Sequence, residues 1–160
     1  MAQVRGQFQA LHTKINKFLQ KQHFDVVFCV GQFFSASETN QLEELENLQF
    51  SIPIYFIIGN ETISESLSPF FLTHSAGGKL KENVFFLGFS GFSLIQGFKV
   101  GFLSGTFNPT VASSKRSSEI QFPFHYSLED LKDLHSIDAS QEPLDIFLSS
   151  EWPQGQAHPG

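Results

Sequence analysis

Phe8, Leu11, Ile15, Phe18 and Leu19 recur at intervals of three and four, which puts apolar side chains on one side of a helix and predicts an amphipathic helix over residues 7–22. Residues 24–30 are apolar apart from Asp25 and stop at Gly31, the pattern of a short buried strand. Residues 38–48 are acidic and helix-like, and 54–58 repeat the buried-strand pattern, stopping at Gly59. A short helix interrupted by Pro69 is expected within 63–71. A turn at Gly77-Gly78 leads to a strand at 84–87, and 92–95 and 98–103 form a hairpin across Gln96-Gly97. Residues 108–122 are rich in Ser, Thr, Lys and Arg without a sustained period, and read as an exposed loop. Ser127 is the expected N-cap of a helix through about His135, and 145–148 is the last strand. This order predicts an α/β layered domain with a parallel portion and an antiparallel extension. Residues 1–155 are expected to form it, with 156–160 as a flexible tail.

Composition narrows the classes. A chain of 160 residues, 41% hydrophobic and 16% charged, suits one domain with its own core. No apolar run is long enough to span a bilayer, and residues 1–6 lack a signal-peptide core, so neither a membrane role nor secretion is expected. The triplet Asn60-Glu61-Thr62, formally a glycosylation acceptor, is set aside for the same reason. The single cysteine, Cys29, excludes an internal disulfide or a multi-cysteine zinc site and reads as a buried, inert thiol. A net charge of −6 disfavours nonspecific duplex binding. Lys14, Lys17 and Lys21 share one side of the first helix, as a solvated face or a small phosphate-contact stripe. Phenylalanine occurs 20 times against two tyrosines and one tryptophan. Most of these rings should fill the core, with the Phe33-Phe34 and Phe70-Phe71 pairs as candidates to present a ring to a partner. The six histidines are scattered and read as surface or capping residues.

Candidate chemistry gathers where strands end. Val30-Gly31-Gln32-Phe33-Phe34, Ile58-Gly59-Asn60-Glu61 and Leu148-Ser149-Ser150-Glu151-Trp152-Pro153 each pass from an apolar run into small and polar residues. Ala2-Gln3-Val4-Arg5-Gly6 leads directly into the first helix as a fourth corner. Strand ends of this kind are where α/β sheets keep their sites. By contrast, Gly88-Phe89-Ser90-Gly91 lacks the spacing of a nucleophile elbow, and no phosphate-loop lysine follows Gly101-Phe102-Leu103-Ser104-Gly105-Thr106.

Together the four corners resemble those of the calcineurin-like metallophosphoesterases, in which Asp, His and Asn side chains hold two metal ions that orient a hydroxide. The resemblance implies a layered metallophosphoesterase-type fold, here partial. The family's first motif is Gly-Asp-x-His-Gly, and Gln3 and Arg5 stand at its aspartate and histidine. Its second begins Gly-Asp, against Gly31-Gln32 here, and its third is Gly-Asn-His, against Gly59-Asn60-Glu61. In the lariat debranching enzymes the fourth reads Ser-His-Asp-Trp-Pro, and here Ser150 replaces the histidine within Ser149-Ser150-Glu151-Trp152-Pro153. The closing Gly-His-x-His motif has no counterpart. The strings Phe24 to Phe34, Phe102 to Thr106 and Asp145 to Pro153, in that order, narrow the resemblance to the N-terminal domain of the CWF-nineteen-like proteins, spliceosome-associated relatives of the debranching enzyme. That family begins with an apolar strand ahead of the first corner, whereas this chain starts at the corner, which implies exposed sheet edges. It also carries a histidine-triad-like domain and a further C-terminal domain.

The expected function is therefore a catalytically inactive, phosphoesterase-like binding module in pre-mRNA splicing or intron-lariat turnover. It would act in the nucleus beside the lariat debranching enzyme or spliceosomal proteins and meet intron RNA, without metal or other cofactor. The alternative is a residual metal-dependent nuclease or phosphoesterase. The binding rim would comprise Gln3, Arg5, Gln32, Asn60, Glu61, Ser150, Glu151 and Trp152, with Arg5 paired to a phosphate, to Glu61 or to Glu151.

Overall fold

The computed structural model describes residues 3–37, 40–113, 120–138 and 143–151. The elements in chain order are α1 (Phe8–Leu19), β1 (Val27–Cys29), α2 (Gln41–Asn47), β2 (Ile54–Phe56), α3 (Ser68–Thr73), β3 (Gly78–Lys81) and β4 (Val84–Phe86). They continue with β5 (Ser90–Ile95), β6 (Phe98–Leu103), β7 (Thr106–Phe107), α4 (Pro109–Ala112), β8 (His125–Tyr126), α5 (Leu128–Asp138) and β9 (Ile146–Ser149). One sheet has the order β1-β2-β4-β3, a second β5-β6-β9, and β7 pairs β8. In the first, β1, β2 and β4 run parallel and β3 is antiparallel; in the second, the β5–β6 hairpin is antiparallel and β9 joins it in parallel. The expected α/β mixture of parallel and antiparallel pairing is present, divided between sheets.

Strand alternation explains the layers. Cys29, Ile54, Phe56, Val84 and Phe86 point to one face of the first sheet, where they meet Phe8 and Ile15 of α1, Leu45 of α2 and Phe71 of α3. Phe28 and Tyr55 point to the other face and share a second cluster with Ile95, Val100, Phe102 and Leu148 of the second sheet. The first sheet is thus covered by helices on one side and by the second sheet on the other. That two-sided cover is why its strands read as continuous apolar runs. Helix α5 contacts β5. Ser127 and Asp130 cap it reciprocally: the Ser127 N–H and hydroxyl donate to the Asp130 carboxylate at 2.8 and 2.9 Å, and the Asp130 N–H donates to Ser127 Oγ at 3.3 Å.

Several boundaries differ from the sequence reading for local reasons. Pro69 does not interrupt a helix; it lies in the first turn of α3, where a missing N–H costs nothing. Only Gly77, at φ +100°, makes the turn before β3, and Gly78 already belongs to that strand. The loop at 108–122 contains α4, whose Asn108 side chain accepts the Thr110 N–H at 3.0 Å. Phe33, Phe34 and Phe71 are buried to within 1% and present no ring outward, because Phe34 packs edge-on against Phe33, Phe56 and Phe71 in the helix-side core. Phe70 is half-buried and stacks on His74 at 4.5 Å. Cys29 is buried, and burial pushes its thiol up to about 12, as an inert core thiol requires. Lys14, Lys17 and Lys21 are exposed. Among the described residues no helix is long and apolar enough to cross a membrane.

Helix α2 has no basic residue in its last turn, and Lys81 of β3 supplies one. Its ammonium donates to the carbonyls of Leu45 at 2.8 Å, Glu46 at 3.0 Å and Leu48, at the negative end of the helix dipole. Lys81→Met keeps the aliphatic stem and removes these bonds, so it is expected to cost about 1–3 kcal/mol in urea unfolding. Unchanged stability would show that water satisfies those carbonyls equally well.

Candidate functional site

The corners expected from the sequence meet at one end of the strands. Two glycines let them do so. A Cβ on Gly59 would lie 3.0 Å from the carbonyl carbon of Gly31 and 3.2 Å from the nitrogen of Gln32, so the second and third corners touch backbone to backbone. Gly31 itself has φ +81°, and a Cβ there would lie 2.8 Å from Cγ of Gln3, whose side chain covers it. The first corner joins through two backbone bonds: the Arg5 N–H donates to Gln32 O at 3.0 Å and the Gly6 N–H to Phe33 O at 2.9 Å. These bonds hold Arg5 at φ +49°, an unusual backbone for a side-chain-bearing residue. The last corner joins at Ile58, whose carbonyl accepts the Ser150 hydroxyl at 3.1 Å and the Gly105 N–H at 2.7 Å.

On this frame the amides pair with one another. Gln32 Nε2 donates to Asn60 Oδ1 at 2.7 Å, and Arg5 Nε donates to Gln3 Oε1 at 2.7 Å. Gln3, Arg5 and Asn60 are exposed, while Gln32 and Ser150 are half-buried. Glu61 is different. It is 3% exposed, and its two carboxylate oxygens accept the Phe33 N–H at 2.9 Å and the Gly59 N–H at 2.6 Å. Burial raises its pKa, and the backbone N–H groups around it pull the other way to a smaller extent. Its carboxylate is turned into the protein, where it clamps the second corner to the third.

Glu151 is turned away from the other corners as well. Its Oε2 accepts the Phe107 N–H at 2.9 Å and the Tyr126 hydroxyl at 2.8 Å, which ties the last corner to the β7–β8 pair. Burial first, and then Glu151, push Tyr126 up to about 12, so it remains a neutral donor. The expected pairing of Arg5 with Glu61 or Glu151 is therefore absent from the described ion pairs, which are His23–Asp25 and Lys79–Glu82. Both carboxylates are spent on internal donors, and Arg5 lies outside against an amide. Trp152 lies outside the described residues.

Sequence reasoning missed Ser104, which is fully buried. Its hydroxyl donates to Gly88 O at 2.7 Å and accepts the Ile58 N–H at 3.3 Å, linking the ends of β2, β4 and β6 beneath the corners. The only signal was a hydroxyl residue ending an otherwise apolar strand, beside Gly105. Among the described residues no group of three or more His, Cys, Asp or Glu side chains is placed to hold a metal ion.

An α/β domain with interlocked polar corners at its strand ends is the class that fold and site define. No protein-family model matches the chain. CWF19-like protein 1 of Mus musculus is 30% identical over 157 residues, covering 94% of this chain and 27% of that protein. A lariat debranching enzyme of Arabidopsis thaliana is 34% identical, covering 82% of this chain and 35% of that enzyme. CWF19-like protein mug161 of Schizosaccharomyces pombe is 30% identical, covering 85% of this chain and 24% of that protein. The chain is a CWF19-like family relative of the lariat debranching enzymes. It spans about a quarter to a third of the length of these relatives.

Proposed function

We propose that this chain is a calcineurin-like, phosphoesterase-type module that no longer catalyses hydrolysis and serves instead as a nuclear binding domain in splicing or intron-lariat turnover, beside the lariat debranching enzyme. The burial of Glu61 carries this reading. It is the carboxylate at the third corner, where the resemblance implies a metal-binding histidine, and two backbone N–H groups occupy its oxygens. The remaining groups there are the amides of Gln3, Gln32 and Asn60, the Arg5 guanidinium and the Ser150 hydroxyl. Neutral amides and hydroxyls hold a divalent ion weakly, and a guanidinium repels it, so this donor set does not fit a two-metal centre. It fits the recognition of phosphate or carbonyl oxygens, with Arg5 as the cation facing solvent. Relatives named for lariat debranching support the RNA-processing setting.

The test is pull-down of the purified chain with the lariat debranching enzyme and with lariat RNA. Enrichment of either is expected, and Arg5→Glu should reduce it several-fold by reversing the charge at the rim. Trp152→Ala, which alters the Trp-Pro corner, should also weaken it. Enrichment of neither, under conditions where the chain is folded, would sink the proposal. Branch cleavage by the purified chain that depends on added manganese would instead support the residual nuclease.

A further inference from the structure

Building on the reading of the rim as a phosphate-recognising surface, we infer that the outward face of α1 carries single-stranded RNA. Its backbone runs from Arg5 at the rim along Lys14, Lys17 and Lys21. Lys14 and Lys17 lie in α1, and Lys21 in the turn that follows, where its N–H donates to Phe18 O at 2.9 Å. Their spacing of three and four residues puts them on one side of the helix, opposite Phe8 and Ile15, which face the core. That side points away from both sheets, so a further strand joining either sheet would leave it open.

An open groove of about 700 Å³ lies against this side of α1. Gly6, the residue after Arg5, lines it with Gln9, Thr13, Lys14 and Lys17, and Glu44 of α2 closes it across from them. The groove therefore begins at the first corner of the site. Glu44 Oε1 accepts the Gln9 N–H at 3.0 Å, so the first turn of α1 is already served from within. The lysines, and not the start of the helix, are left to meet an anion.

Among the described residues these three ammonium groups have no ion-pair partner. Other lysines are committed: Lys79 pairs with Glu82, Lys81 holds the end of α2, and Lys99 lies 4.9 Å from the centre of the Phe92 ring. Uncommitted cations in one row, on a chain of net charge −6, favour a linear polyanion over a duplex. Lys14 and Lys17 are about 5 Å apart along the axis and Lys21 about 6 Å further. Phosphates of a stacked strand repeat at about 3.4 Å and move apart as the strand extends, so successive ones can meet successive lysines. A nucleic-acid strand repeats its charge at every unit, whereas a peptide would have to place acidic residues to match.

Anisotropy titration of a fluorescent single-stranded oligouridylate, repeated over a series of salt concentrations, tests the path. Replacing Lys14 and Lys17 together by Gln should weaken binding several-fold. It should also reduce the slope of log affinity against log salt by about 1.4, or about 0.7 for each phosphate contact removed. Replacing Lys79 and Lys132 by Gln makes the same change of charge elsewhere and should leave that slope as it was. Equal effects from the two pairs would overturn the inference, since the chain would then bind RNA by overall charge alone. Absence of oligouridylate binding would overturn it too, while capture of the debranching enzyme would still uphold the binding module itself. Loss of that capture on replacing Lys14 and Lys17, with RNA binding intact, would assign the face to a protein and overturn the RNA path.

Discussion

Phe56→Ala is expected to destabilise the chain by about 3–5 kcal/mol, the range for truncating a buried phenylalanine and leaving a cavity. Phe56 is fully buried in the middle of the first sheet. Its ring lies face to face with Phe33 at 4.0 Å and 7°, meets Phe34 edge-on at 5.8 Å, and leans against Phe86 at 5.5 Å. Rings packed this way cannot close over a gap by rotating, since each is fixed by the next. Because Phe33 and Phe34 directly follow the Gly31-Gln32 corner, the loss should also loosen the site. Urea unfolding should show a midpoint shift matching that energy, and Phe56→Leu, which retains most of the volume, should cost less than half as much. Equal effects from the two variants would mean that the ring stack contributes nothing beyond apolar bulk.

The sequence carried β1, β2, β4 and the first helix plainly because their apolar residues are periodic or continuous and packed in the core. Ile54 and Phe56 alternate with Tyr55 across a sheet covered on both faces, so the run reads as apolar throughout. Strand β3 was not legible, since Gly78-Lys79-Leu80-Lys81 lies at an edge and has the composition of a turn. Strands β7 and β8 are two residues each, too short for any period. At the site, the sequence placed the corners at the strand ends, but not the directions of their side chains. Glu61 and Glu151 look like rim carboxylates in the sequence. Their partners, the N–H groups of Phe33, Gly59 and Phe107 and the hydroxyl of Tyr126, come from backbone positions and distant segments that no motif records.

Glu61→Ala is expected to cost about 2–6 kcal/mol, because it leaves the buried N–H groups of Phe33 and Gly59 without acceptors at about 1–3 kcal/mol each. Glu61→Gln should cost less, about 1–3 kcal/mol, since one oxygen still serves one N–H while the amide nitrogen faces the other. The pH dependence distinguishes a clamp from a solvated rim group. Burial raises the folded-state pKa of Glu61 above its ordinary value of 4.5, so between those values the folded chain binds more protons than the unfolded one. The contribution of this group to stability is thus complete below pH 4.5 and is lost as pH rises through the raised value. Glu61→Gln, which cannot titrate, should remove that slope, so its deficit relative to the parent should shrink as pH rises through this window. Unfolding curves of both proteins, taken across the window in urea, measure the difference directly. A constant deficit would show that Glu61 ionises as freely in the folded chain as in the unfolded one. The N–H groups of Phe33 and Gly59 would then offset the cost of burying its charge in full, and the clamp would hold through an ionised carboxylate.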